Sequence, residues 1–327
     1  MEELERAQER LENIRSVKPI LSGLRTISLG SWQGALKRQT GVQDYAGRLR
    51  AMLPSLLPQL QARRTILAQL RARLFAYTLQ PANRGPRADR PTQPVRFEAL
   101  VIGSERGLCG RFNVAVAEEA ERYLKEHVAQ GVDVHLRTLG SRAQRVLQRR
   151  GYETPQAGAL SVTALPPFSL AFELASAWLA AYERQELDAV DLIHNGYRGT
   201  GAYKPTVTRL IPPRIVRDEA PRRAPKGIEP PTARQPRGPW PPPIVETDPL
   251  SLYATVIEQW AAVQLHQVLL DSAAAEHSTR FQLMESATQN ADRLIEELTL
   301  TIQTARRQQI TQEMGELAAG AGLIGRE

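Results

Sequence analysis

The stretch VIGSERGLCGRFNVAV, residues 101–116, sets glycines at 103, 107 and 110 between a short apolar run and an apolar-periodic segment. Strand, glycine loop and helix N-terminus together can cradle a phosphate, because backbone N–H groups and the helix dipole converge there. The spacing does not suit that chemistry. A dinucleotide fingerprint needs G-x-G-x-x-G, and a P-loop needs G-x-x-x-x-G-K followed by Ser or Thr. Here the pattern is G-x-x-x-G-x-x-G, and no Gly-Lys-Ser or Gly-Lys-Thr occurs in the chain. Positions 127–132 read HVAQGV, without the acidic residue that ribose recognition would want. Gly107 and Gly110 therefore read as residues of a tight strand-to-helix connection.

The other reactive side chains are scattered. His127 and His135 flank a helix end and a strand, while His266 and His277 lie eleven apart on one long helical segment. None has metal-ligand spacing, and Cys109, the only cysteine, makes neither a zinc site nor an intrachain disulfide. His194 at a strand end is a candidate base, but no G-x-S-x-G or H-E-x-x-H motif supplies a partner. No catalytic, cofactor-binding or metal site is expected.

A net charge of +7 over 327 residues is a weak signal for nucleic acid and leaves acidic protein surfaces as possible partners. With 42% hydrophobic but only 6% aromatic residues, the core should be aliphatic. No run of 18 apolar residues exists, so no membrane insertion is expected. The charged N-terminus MEELERAQERLENIRSVK lacks the apolar core of a signal peptide, and a bacterial cytoplasmic location fits.

Three textures position these residues. Residues 1–80 read as helix, with Leu4, Leu11, Ile14, Val17 and Leu21 at helical spacings. Pro19 should kink or restart that helix, Gly23, Gly30 and Gly34 should weaken it, and Pro54 and Pro58 should mark another break. Residues 81–94, with four prolines, read as a linker. Residues 95–211 read as a central α/β domain with strands at 95–103, 132–140, 187–197 and 204–211. Helices are expected at 111–131, 141–151 and 169–185. That alternation implies a mostly parallel sheet with helices on both faces.

Residues 212–249 hold twelve of the 23 prolines and read as an extended insert or linker, with a polyproline ligand as the alternative. Residues 250–327 read as one long helix. Met284, Ala287, Ala291, Leu294, Leu298, Ile302 and Ala305 recur at a mean near 3.5, the seam of a left-handed coiled coil. Some 70 residues of helix span about 100 Å, too long to bury, so it must project and pack on the N-terminal helical region. Near its end Arg306 and Arg307 stand beside Gln308, Gln309, Thr311 and Gln312, and small residues at 318–322 would allow close approach inside a sleeve. The expected fold is α/β plus a long antiparallel coiled coil.

At these residues the chain resembles the gamma subunit of F-type ATP synthases. The block LLDSAAAEHSTRFQLMESATQNADRLIEELTLTIQTARRQQITQEMGEL is very similar to that family's terminal helix, with Ala291, Leu298, Arg306, Ile310, Thr311, Gln312 and Glu313 at its motif positions. Ser104 through Gly110 resemble the family's Arg-Gly-Leu-Cys-Gly segment, IRSVK matches the start of its N-terminal helix, and 181–212 is similar to its last strands.

The resemblance implies that both terminal helices form a coiled coil passing through a hexamer of alpha and beta subunits. The α/β domain would sit outside, beside the epsilon subunit and on the c-ring. Proton flow would turn ring and shaft, and chemistry would occur on the beta subunits. It implies hexamer contacts at Arg306, Thr311 and Gln312, and at Arg307, where the family commonly has Gln. It places Arg106, Gly107, Cys109 and Gly110 in the foot near ring and epsilon, on the cytoplasmic face of a bacterial plasma membrane. Residues 19–39 depart from the family's lysine-rich stretch, which implies looser coupling or a changed partner. The alternative is a divergent gamma-like paralogue acting as a scaffold.

Overall fold

The computed structural model describes residues 2–62, 95–212 and 248–320. The expected linker at 81–94, most of the Pro/Arg-rich insert and the end of the small-residue run at 318–322 lie outside the described residues.

Helix α1 (Glu2–Ala62) is continuous. It neither restarts at Pro19 nor breaks at Pro54 and Pro58, which corrects that expectation. Pro19 is exposed, so the carbonyl it leaves without a donor, that of Arg15, faces water. Its neighbour Lys18 pairs with Asp292 on the opposing helix. Packing along the whole stalk offsets a proline cost of about 3 kcal/mol.

The central domain begins with β1 (Val95–Ile102), followed by α2 (Phe112–Val128), β2 (Val132–Leu139) and α3 (Ser141–Arg149). Next come α4 (Phe168–Glu183), β3 (Ala189–Gly199) and β4 (Ala202–Ile211). Gly131 ends the α2 connection at φ +74°, and Gly151 closes the turn after α3 at φ +88°. The strand order is β2-β1-β3-β4. β1 runs parallel to both β2 and β3, and β4 returns antiparallel along the edge, so the sheet is mostly parallel.

Side chains alternate across this sheet, as the two-residue period requires. On one face Leu100, Ile102, Leu192 and Val190 pack with Leu174 and Trp178 of α4. On the other, Ala99, Val101 and Ile193 pack with Val116 and Ala120 of α2 and Leu147 of α3.

Helix α5 (Pro249–Gly320) has 72 residues and is about 110 Å long. Its first part belongs to the domain core through Val256, Ala261, Leu265 and Leu269. From Trp260 to Ile302 it pairs antiparallel with α1. Val42, Ala46 and Leu49 meet Trp260 and Val263, Arg25 meets Glu285, and Ala7 and Leu11 meet Ile302. Met284, Ala291 and Ile302 are buried in the seam as expected. Leu294 is 40% exposed and lies off it. The seam instead runs through Thr288, whose hydroxyl donates to the Met284 carbonyl at 2.8 Å, and Ile295. A threonine that satisfies its own hydroxyl can occupy an apolar position.

Candidate functional site

The glycine loop is built by close approach. A Cβ on Gly103 would stand 2.3 Å from that of Ala143. Gly140, at φ +96°, brings its backbone so near that a Cβ there would lie 2.7 Å from the Gly103 carbonyl carbon. The connections leaving β1 and β2 therefore touch, which only glycine permits. Gly103 N–H donates to the Leu139 carbonyl at 2.7 Å. Ser104 N–H donates to Asn113 Oδ1 at 3.0 Å, and Asn113 Nδ2 donates to Ser104 Oγ at 2.8 Å. These backbone donors, which a phosphate would use, are spent on the protein itself. Gly110 takes φ +59° to start α2, as the tight connection requires. Cys109 is buried against Phe112 and Ala275, and burial pushes its thiol pKa up, which keeps it protonated.

This loop is fastened to the shaft by a cluster that motif and spacing did not single out. Arg280 of α5 is 4% exposed. Its Nε donates to the Gly107 carbonyl at 3.2 Å, and its Nη2 to the Arg106 carbonyl at 3.3 Å and to Glu276 Oε1 at 2.6 Å. Its Nη1 lies 3.2 Å from His277 Nδ1. Burial raises the pKa of Glu276, against the pull of Arg280. Burial, with Arg280 and Arg106 beside it, holds His277 down at about 4. A cavity of about 50 Å³ adjoins the cluster, lined in part by Ser28 and Ser31 of α1, Glu105 and Arg106. The one available sequence signal was a Glu and an Arg four apart within an alanine-rich helical segment.

Asp271 makes a second joint. Oδ1 accepts from Gln39 Nε2 of α1 at 3.2 Å, and Oδ2 accepts from the Tyr197 N–H of β3 at 3.2 Å. The carboxylate reaches the strand because Gly196 has no Cβ. His194 is buried with Nδ1 4.0 Å from Asp271 and Nε2 3.3 Å from Thr208 Oγ1, and burial lowers its pKa to about 4. It fills a strand-to-helix contact, not a catalytic pair. Among the described residues, no group of three His, Cys, Asp or Glu is placed to hold a metal ion, and no helix is long and apolar enough to cross a membrane.

Arg306, Arg307, Thr311 and Gln312 are all exposed on the last turns of α5. They stand about 40 Å along the helix from Arg280, so the foot residues and the tip residues form two separate sites. The α1 partner ends near Leu4, which packs in the cluster around Ile302. Beyond it Ile310, Met314 and Leu317, spaced four and three apart, are 56%, 66% and 74% exposed. An apolar stripe that no described residue covers is a surface made to be covered.

A two-helix antiparallel stalk rising from a small α/β foot, with a tip that no described residue covers, defines a shaft-type subunit. A family model described as ATP synthase matches residues 3–322, and the chain belongs to that family. It is 28% identical over 338 residues to the ATP synthase gamma chain of Synechocystis sp., covering 99% of this chain and 100% of the relative. It is 26% identical over 324 residues to the ATP synthase gamma chain of Pelotomaculum thermopropionicum, with 99% and 100% covered. Among solved structures, a chain of the Euglena gracilis mitochondrial ATP synthase (OSCP/F1/c-ring, rotational state 3) shares the fold with a TM-score of 0.53. There the identity is 15%, over 99% of this chain and 97% of that one.

Proposed function

We propose that this chain is the central rotor stalk subunit of an ATP synthase, coupling rotation of the c-ring to conformational cycling of the catalytic beta subunits. The observation that carries the reading is the tip of α5, where Ile310, Met314 and Leu317 are exposed beyond the end of α1. A hexamer of alpha and beta subunits would supply the sleeve. Arg306, Arg307, Thr311 and Gln312 would contact its inner loops. Arg106, Gly107, Cys109 and Gly110 would lie in the foot, near epsilon and the ring, at the cytoplasmic face of a bacterial plasma membrane.

The mechanism needs no active site on this chain. At each angle the shaft favours a different conformation in each beta subunit, a population shift imposed by contact. Torque passes only if shaft and foot turn as one body. The Arg280 fastening of the foot loop and the Asp271 joint to β3 and α1 supply that connection.

Co-expression with the alpha and beta subunits of its own organism tests the reading. The expected result is a complex that, reconstituted with its membrane sector, makes ATP from a proton gradient. Failure to assemble with that hexamer would overturn it.

A further inference from the structure

Three arginines of α3, Arg142, Arg145 and Arg149, are exposed and make no ion pair or side-chain hydrogen bond with any described residue. Spacings of three and four put them on one helix face, away from the buried Ala143 and Leu147. They span about 10 Å of helix. Elsewhere in the same domain six of the nine other arginines are matched with acids, Arg96, Arg106 and Arg198 being the exceptions. Arg111 and Arg150 pair with Glu118, Arg122 with Glu119, Arg137 with Glu98, Arg184 with Glu186 and Arg209 with Asp191.

The stripe works against its own helix. Arg142 sits in the first turn, at the positive end of the dipole, where no acidic residue balances it. Arg142 and Arg145, then Arg145 and Arg149, are like-charge neighbours. The cap residue is Gly140, with no side-chain capping bond. Only Arg149, in the last turn, stands where the dipole favours a cation. The same surface also carries an apolar knob. Leu108 is 58% exposed and held at φ 59° in the left-handed region, which a leucine avoids. The Arg142 guanidinium carbon lies 4.0 Å from where a Gly107 Cβ would stand, so knob and stripe are neighbours.

We propose that the α3 face formed by Arg142, Arg145 and Arg149, with Leu108 at its end, docks an acidic segment of another protein. Guanidinium forks pair with carboxylates in fixed geometry, and Arg beside an apolar anchor is typical of protein interfaces. An extended phosphate surface fits less well. The stripe covers only about 10 Å, and the exposed Leu108 at its end is an apolar contact that a row of phosphates does not match. The inference goes beyond the rotor reading and does not depend on which subunit supplies the acids.

The test uses the full chain carrying R145K, affinity-purified with its bound proteins from its own cells and treated with a carbodiimide. That substitution keeps the charge and supplies an amine, which a zero-length reagent joins only to a carboxylate in contact. The expected product links position 145 to an Asp or Glu of another protein. Products at 145 confined to acids of this chain, to phospholipid, or absent altogether would overturn the proposal. In parallel, the triple variant R142Q/R145Q/R149Q should unfold at an unchanged or higher temperature. It should bind the crosslinked partner about tenfold more weakly, with a flatter salt dependence. Unchanged affinity and salt dependence would also overturn it. The presence of the alpha and beta subunits is scored on the same preparation, so a failure of the rotor reading is seen separately.

Discussion

Arg280 Nε donates to the carbonyl of Gly107 at 3.2 Å, joining residues 173 apart in sequence. One side chain thereby fixes the glycine loop to the long helix and balances Glu276 in a buried setting. Removing one member of a buried ion pair leaves an uncompensated charge. R280M should therefore destabilise the chain by about 3 kcal/mol or more. The double variant E276Q/R280M should recover a large part of that loss, because no charge remains buried. Urea denaturation of the three proteins checks the order, and a single variant no less stable than the double one would refute it.

Three histidines, His194, His266 and His277, give the fold a pH dependence of one sign. His194 and His277 have pKa values near 4, below the ordinary 6.5, because burial disfavours their charged forms. Between those limits the unfolded chain binds more protons than the folded one. Stability is therefore full above about pH 6.5 and falls as the pH drops toward 4, by at most about 3 kcal/mol per histidine. Glu276 acts with the opposite sign, since its raised pKa makes acidification favour the folded state. Denaturation midpoints between pH 7.5 and 4.5 should fall, and H277Q should flatten the profile.

Much of this architecture was legible as period and punctuation. Seventy residues without proline announced α5, and glycines 131 and 151 marked the turns after α2 and α3. What misled was local chemistry overridden by tertiary packing. Pro19 reads as a break, yet it sits exposed on a helix held by its partner along the stalk. Thr288 reads as polar, yet bonds inward and takes the seam position expected for Ala287, while Ile295 takes the one expected for Leu294. The fastening by Arg280 and the joint at Asp271 were not legible. Their partners are backbone groups and side chains from distant elements, and no motif spells a carbonyl oxygen.

Glycines in this chain should respond to substitution with opposite signs. Gly23, Gly30 and Gly47 lie in the interior of α1, and a Cβ there meets nothing within 4 Å. Alanine at each should stabilise the isolated chain by about 0.5–1 kcal/mol, through the entropy glycine gives up on forming helix. Gly140 is at φ +96° with the Gly103 backbone where its Cβ would be. G140A should cost about 2 kcal/mol or more and loosen the contact between the two loops. Thermal unfolding of G30A and G140A side by side separates the two classes, and a shift of the same sign in both would refute the account.

The tip of α5 should separate stability from coupling. Arg306 and Gln312 are exposed, and among the described residues the Gln312 side chain bonds only Glu316, one turn on in the same helix. Ile310, Met314 and Leu317 add an apolar stripe that no described residue covers. Substitutions there remove nothing the free chain relies on, so R306A, Q312A and M314D should each leave its unfolding free energy within about 0.5 kcal/mol. In an assembled complex the same positions would meet the sleeve. M314D puts a charge into an apolar contact and should impair assembly, while R306A and Q312A should permit assembly and reduce coupled ATP synthesis. Measuring unfolding, assembly and synthesis on the same three variants decides the matter. Normal assembly and synthesis in all three would mean that the sleeve grips the shaft below residue 306, along the paired part of the stalk. Loss of stability in the free chain would mean that the tip has a partner within its own fold.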